Sequence, residues 1–111
     1  MSEELLKNTL KSIGLPVAYF QYKGTKPQYI VYNEETEQPS NYGDNKPLES
    51  IAWWQVHIFS TKEIDFRNWK KETKKLLLKA GFTVTDIETL YEKETETIHV
   101  VICCHIEESE E

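Results

Sequence analysis

Apolar side chains near the start of the chain recur at helical spacing. Leu5, Leu6, Leu10 and Ile13 share one side of a helix over 3–13, and Lys7, Asn8 and Lys11 fill the other. Ser2 suits the N-cap, Glu3 and Glu4 suit the positive end of the helix dipole, and Gly14 and Pro16 stop the helix. The period then changes. Val17–Tyr22 and Gln28–Asn33 are short runs of β-branched and aromatic residues around Lys23-Gly24-Thr25-Lys26, a pattern that predicts a hairpin. Asn33–Pro47 has almost no apolar residue except Tyr42 and carries Pro39, Gly43 and Pro47. Its fifteen residues predict a long loop, and loops of that length are usually functional or disordered.

Leu48–Ser60 is the strongest strand. Ala52, Trp54, Val56 and Ile58 alternate with Ile51, Trp53, Gln55, His57 and Phe59, so both faces are substantially apolar. A second helix is predicted over Asp65–Ala80, with Phe66, Trp69, Thr73, Leu76, Leu77 and Ala80 as its buried stripe, Asp65 as N-cap and Gly81 as stop. Phe82–Leu90 and Glu94–Glu107 read as two final strands joined by a turn at 91–93. In the last strand Ile98, Val100, Ile102, Cys104 and Ile106 oppose Thr97, His99, Val101, Cys103 and His105. The order α-β-β-β-α-β-β predicts an α+β fold. It is a single domain over 1–106, mainly an antiparallel sheet of about five strands with two helices packed on one face, followed by an acidic tail over 107–111.

Composition narrows the function classes. With 111 residues the chain fits one domain and excludes a separate cofactor domain. A hydrophobic content of 39 % separates it from disordered acidic chains. A net charge of −6 argues against a general nucleic-acid binder, and no stretch has the ~18 apolar residues of a membrane span. The acidic start lacks the regions of a signal peptide, and the two adjacent cysteines, Cys103 and Cys104, predict reduced thiols in a cytosolic protein.

Metal and catalytic chemistry find little support. His99, Cys103 and His105 share a strand face, but four residues of strand span about 13 Å and six about 20 Å, too far for one ion. Only Cys103 with His105, joined by His57 in a favourable register, would hold a metal. A Cys104 nucleophile with His57 or His105 as base is the catalytic option. Cys104 falls on the apolar face, where a free cysteine acts as a small hydrophobe. Nucleotide-loop and GxSxG motifs are missing from the sequence. The expectation is a non-enzyme without cofactor or metal.

Charge is unevenly spread. The segment 65–80 has six basic residues against two acidic ones, so it carries +4 and the rest of the chain −10. The plain reading is a solvated helix face. The functional one is complementary contact between copies or with an acidic partner. Ile51, Trp53, Gln55, His57 and Phe59 form a second candidate, because helices on the Trp54 side would leave this face uncovered.

Beyond these features, Gly14-Leu15-Pro16-Val17, Tyr19–Gly24 and Gln28–Asn33 resemble the opening of small tail completion proteins of long-tailed bacteriophages and prophages of Gram-positive bacteria. Trp54–Ser60 resembles that family's central strand, with His57 where the family often has an acid; 79–82 and 91–95 match in style. The resemblance spans roughly residues 14–102. It implies a tail terminator, or head-to-tail joining protein, that forms a ring, commonly a hexamer, on the tail tube and meets the head connector. It also implies a virion location after synthesis in the host cytoplasm. The expected partners are other copies, the tail tube protein and the head connector, with no membrane and no direct nucleic-acid contact. The expected interface comprises Ile51, Trp53, Gln55, His57 and Phe59, the loop residues Asn41, Tyr42, Asp44 and Lys46, and Arg67, Lys70, Lys71 and Lys74 of the second helix. A small acidic cytosolic binding or inhibitor module is the alternative.

Overall fold

A computed structural model describes residues 2–43, 46–61 and 66–109, with side chains described outside 36–49 and 108–109. The elements follow the expected order: α1 (Ser2–Lys11), β1 (Val17–Tyr19), β2 (Tyr29–Gly43), β3 (Lys46–Thr61), α2 (Phe66–Lys79), β4 (Thr83–Glu92) and β5 (Thr97–Ser109). They build one α+β domain around a five-stranded sheet of order β1-β2-β3-β5-β4.

The core explains the layering. Trp54, Val56 and Ile58 of β3 point to the same side as Ile30 and Tyr32 of β2 and Val100, Ile102 and Cys104 of β5. Leu6 and Leu10 of α1 and Leu77 of α2 close over them, each fully buried. Both helices therefore lie on one face. Trp54 Nε1 donates to Ser2 Oγ at 3.1 Å, which ties the start of α1 to the central strand. Thr73 and Leu77 form the buried centre of the α2 stripe, with Phe66, Trp69 and Ala80 packed beside the core. The helix ends in a Schellman motif. Gly81, at φ +105°, donates its N–H to Leu78 O, and Phe82 N–H returns to Leu77 O. The N-cap expected at Asp65 lies outside the described residues.

Four expectations need correction. First, β1 and β2 are parallel, with Val17 opposite Ile30, so they are not a hairpin. The chain breaks the first strand at Phe20, which takes a left-handed φ of 64°, and Gln21 N–H folds back onto Tyr19 O. Because β1 is only three residues long, a short return along 20–28 suffices to restart beside it. Second, 33–47 is not a loop: β2 continues to Gly43 and pairs with β3 down to Gly43–Lys46. Register shifts between Glu34 and Thr36 and around Pro39–Tyr42 absorb the irregular residues. Pro39 is tolerated because β1 covers only 30–32, which leaves the outer edge of β2 unpaired there. Third, β4 runs on to Glu92 and the turn moves to 93–96, where Glu96 takes a left-handed φ of 53°. Fourth, part of the expected tail is strand, since β5 extends to Ser109 opposite Glu49.

Candidate functional site

The other face of the sheet is built by the alternate residues of the same strands. In β3 these are Ile51, Trp53, Gln55, His57 and Phe59, all half-buried. Register sets Phe59 opposite Tyr29 and His99, His57 opposite Val31 and Val101, Gln55 opposite Asn33 and Cys103, and Trp53 opposite His105. No described helix lies on this side.

Two features order the surface. At one end, stacked rings cross the strands: Tyr22 on Tyr29 (4.3 Å between centroids), Tyr29 on Phe59 (4.8 Å) and Phe59 on His99 (4.3 Å). Such cross-strand aromatic pairs stiffen a sheet. Phe20, 60 % exposed at its strained φ, joins Gln21, Tyr22, Asn33, His57 and His99 around a shallow cleft. In the middle, Trp53 packs against His105 at 4.3 Å. Trp53 Nε1 is shielded from water yet has no hydrogen-bond partner among the described residues.

Between them, polar groups form a chain. His57 Nδ1 meets His99 Nε2 at 2.8 Å, and His57 Nε2 meets Asn33 Oδ1 at 3.0 Å. His99 Nδ1 lies 4.0 Å from Glu92 Oε2. Burial pushes the His57 imidazole below its usual range, and the neighbouring His99 adds to this. Burial likewise lowers His99, against an opposing pull from Glu92. Nothing local in the sequence announces this pair, because its meeting depends on the register between strands 42 residues apart.

The structure also bears on the metal and thiol options. Among the described residues, no three His, Cys, Asp or Glu side chains gather around one point. The His57–His99 contact of 2.8 Å is too short for an ion in line between two nitrogens, since two bonds of about 2.0 Å require about 4 Å. Cys104 is fully buried under the helices, and burial followed by Cys103 pushes its thiol up to about 12, so it is no thiolate at neutral pH. Burial, then Glu35, Asp86 and Glu88, raise Cys103 as well.

The remaining expected residues lie elsewhere. Arg67, Lys70, Lys71 and Lys74 sit on α2, across the sheet from Trp53. Lys70 Nζ donates to Thr89 Oγ1 at 2.9 Å, and the Arg67 guanidinium lies 5.6 Å from the Phe66 ring centre. Asn41, Tyr42 and Lys46 belong to the far end of the β2–β3 ribbon, where only the backbone is described, and Asp44 lies outside the described residues. The described candidate residues thus fall on opposite sides of the sheet: the β3 residues share the face away from the helices, and Arg67, Lys70, Lys71 and Lys74 adjoin one another on α2.

The sequence matches no family model and no curated protein. Among solved structures, 21 chains match. One, whose name states no activity, superposes with a TM-score of 0.60 at 16 % identity, covering 99 % of this chain and 91 % of its own. That likeness shows the fold alone.

Proposed function

We propose that the chain is a tail completion or terminator subunit of a long-tailed bacteriophage or prophage. In this reading, copies assemble into a ring on the tail tube and join it to the head connector. One observation carries the reading: both helices pack on the Trp54 side, and the Trp53 side keeps half-buried aromatic and aliphatic residues with no described helix over them and only the 20–22 turn at one end. A continuous face of this kind fits a contact surface. The sequence resemblance supplies the biological setting. The basic α2, on the opposite side from that face, gives each copy two unlike surfaces, as a ring of head-to-tail contacts requires.

Electron microscopy of the purified protein, alone and added to tails lacking their terminal ring, tests the reading. The expected result is closed rings, or a ring density at the tail end, with restored head joining. A chain that stays monomeric and leaves such tails unchanged would refute the terminator role and favour the acidic binding module.

A further inference from the structure

The sheet face away from the helices holds a hydrogen-bonded chain, Asn33–His57–His99. Asn33 is oriented by its own amide, whose Nδ2 donates to Gln55 Oε1 and to Glu34 O, both at 3.3 Å. Its Oδ1 therefore faces His57 Nε2, which must carry a proton to donate. That leaves a lone pair on His57 Nδ1, so His99 Nε2 carries the proton between the two rings. One lone pair remains in the pair, at His99 Nδ1, 4.0 Å from Glu92 Oε2. The first added proton goes there, beside an acidic side chain. A second has no site unless the His57–His99 hydrogen bond breaks and two imidazoliums face each other.

Every strand packed around the pair contributes to its setting. β2 supplies Asn33 and the Tyr29 phenol, and β3 supplies Phe59, stacked on His99. β4 supplies Glu92 and, opposite Val101, Glu88. The loop before β2 brings the Tyr22 phenol onto Tyr29. Among the described residues, the acids beside the pair are Glu92 and Glu88 of β4, and Glu35 of β2 reaches the same face near Cys103.

We infer that the His57–His99 pair is a proton switch on the association of copies through this face: copies associate while the pair is neutral and part when His99 takes a proton. The inference rests on reading the face as a contact between copies. An apposed copy removes water from His99 Nδ1 and leaves the imidazolium only Glu92, 4.0 Å away, and Glu88 to compensate it; in this reading the lost hydration outweighs that attraction and disfavours the charged form. The associated state then binds fewer protons than the free chain, and by linkage association weakens as pH falls. Burial has already moved both imidazoles of the free chain below the ordinary value, so the switch operates on the acidic side of about pH 6.5.

Sedimentation velocity of the full chain between about pH 8 and about pH 5.5, at fixed ionic strength, reads the switch. The expected dissociation constant rises by up to about tenfold per pH unit for each proton excluded. His99→Gln keeps an amide able to donate to His57 and removes the lone pair that takes the first proton, so its association is expected to lose the larger part of the wild-type pH dependence. In the wild type, ring-nitrogen NMR is expected to show the pair titrating as a coupled unit, with the first proton on His99. Association that ignores pH, or a His99→Gln variant with wild-type pH dependence, overturns the switch and leaves the contact face standing. A wild type that is monomeric throughout overturns both. If His99→Gln does not fold, the NMR titration decides, and two independent transitions at the ordinary imidazole value overturn the inference.

Discussion

Trp53 and Trp54 are neighbours in one strand, and they compare the two faces of the sheet directly. Trp54 is 4 % exposed, under both helices, and its indole N–H is bonded to Ser2. Trp53 is half-buried on a face without a described helix, and its N–H has no partner among the described residues. One side chain completes a core. The other has the size and hydrophobicity of a core residue without the packing of one. Alternation in a strand makes both outcomes inevitable once the helices choose a side. An aromatic-rich sheet face left without helices is what the proposed contact between copies would use.

The comparison can be broken in several ways. The largest stability effect is expected on the covered face, where Leu77→Ala should lose about 2–5 kcal/mol in urea unfolding, since it empties a fully buried position. A loss under about 1 kcal/mol would mean that α2 is not closed over the sheet as described. Next come the matched tryptophan substitutions. Trp54→Phe should lose about 1–2 kcal/mol by removing the bond to Ser2 and some core volume. Trp53→Phe should change monomer stability by under about 0.5 kcal/mol, because its N–H has no partner to lose. Equal losses at both positions would erase the distinction between the faces.

A pH series sharpens the picture of the uncovered face. His57 and His99 sit below the ordinary imidazole value in the folded chain, so the unfolded chain takes up protons first as pH falls. Their contribution to stability is full above about pH 6.5 and is lost as pH falls through the folded values. Urea midpoints should therefore drop between about pH 7.5 and about pH 5.5, and His57→Gln should reduce that drop. Rising stability over the window would reverse the sign and contradict the assigned burial. The smallest effect is expected on the basic helix. Lys71→Ala, at an exposed position, should leave stability within about 0.5 kcal/mol. A larger loss would make the basic stripe of α2 a structural feature and remove it as a partner surface.

Much of this was legible in the residues. The helical period of Leu6 and Leu10, the capping by Gly81 and the alternation through Trp53–Trp54 are local signals, and each element they predict is present. The misreadings share a different cause. Val17–Tyr22 and Gln28–Asn33 look like a hairpin because aromatic strands around a glycine turn usually are one, and nothing local announces the left-handed Phe20 that redirects the chain. Residues 33–47 look like a loop because the strand character of β2 beyond Asn33 comes from backbone pairing to β3, with no apolar pattern of its own. The same holds for the site. That Trp53, His57 and Phe59 share a face follows from period two, whereas the meeting of His57 with His99 depends on inter-strand register.

The central claim is that the Trp53 face is a contact surface between copies. Sedimentation velocity of wild type and Trp53→Ala, compared at matched concentrations above neutral pH, tests it most directly, with circular dichroism as the check on folding. The account predicts a concentration-dependent assembly of the wild type that Trp53→Ala weakens by at least about tenfold while the monomer stays folded. Identical sedimentation of the two proteins, or loss of the fold in Trp53→Ala, would contradict it.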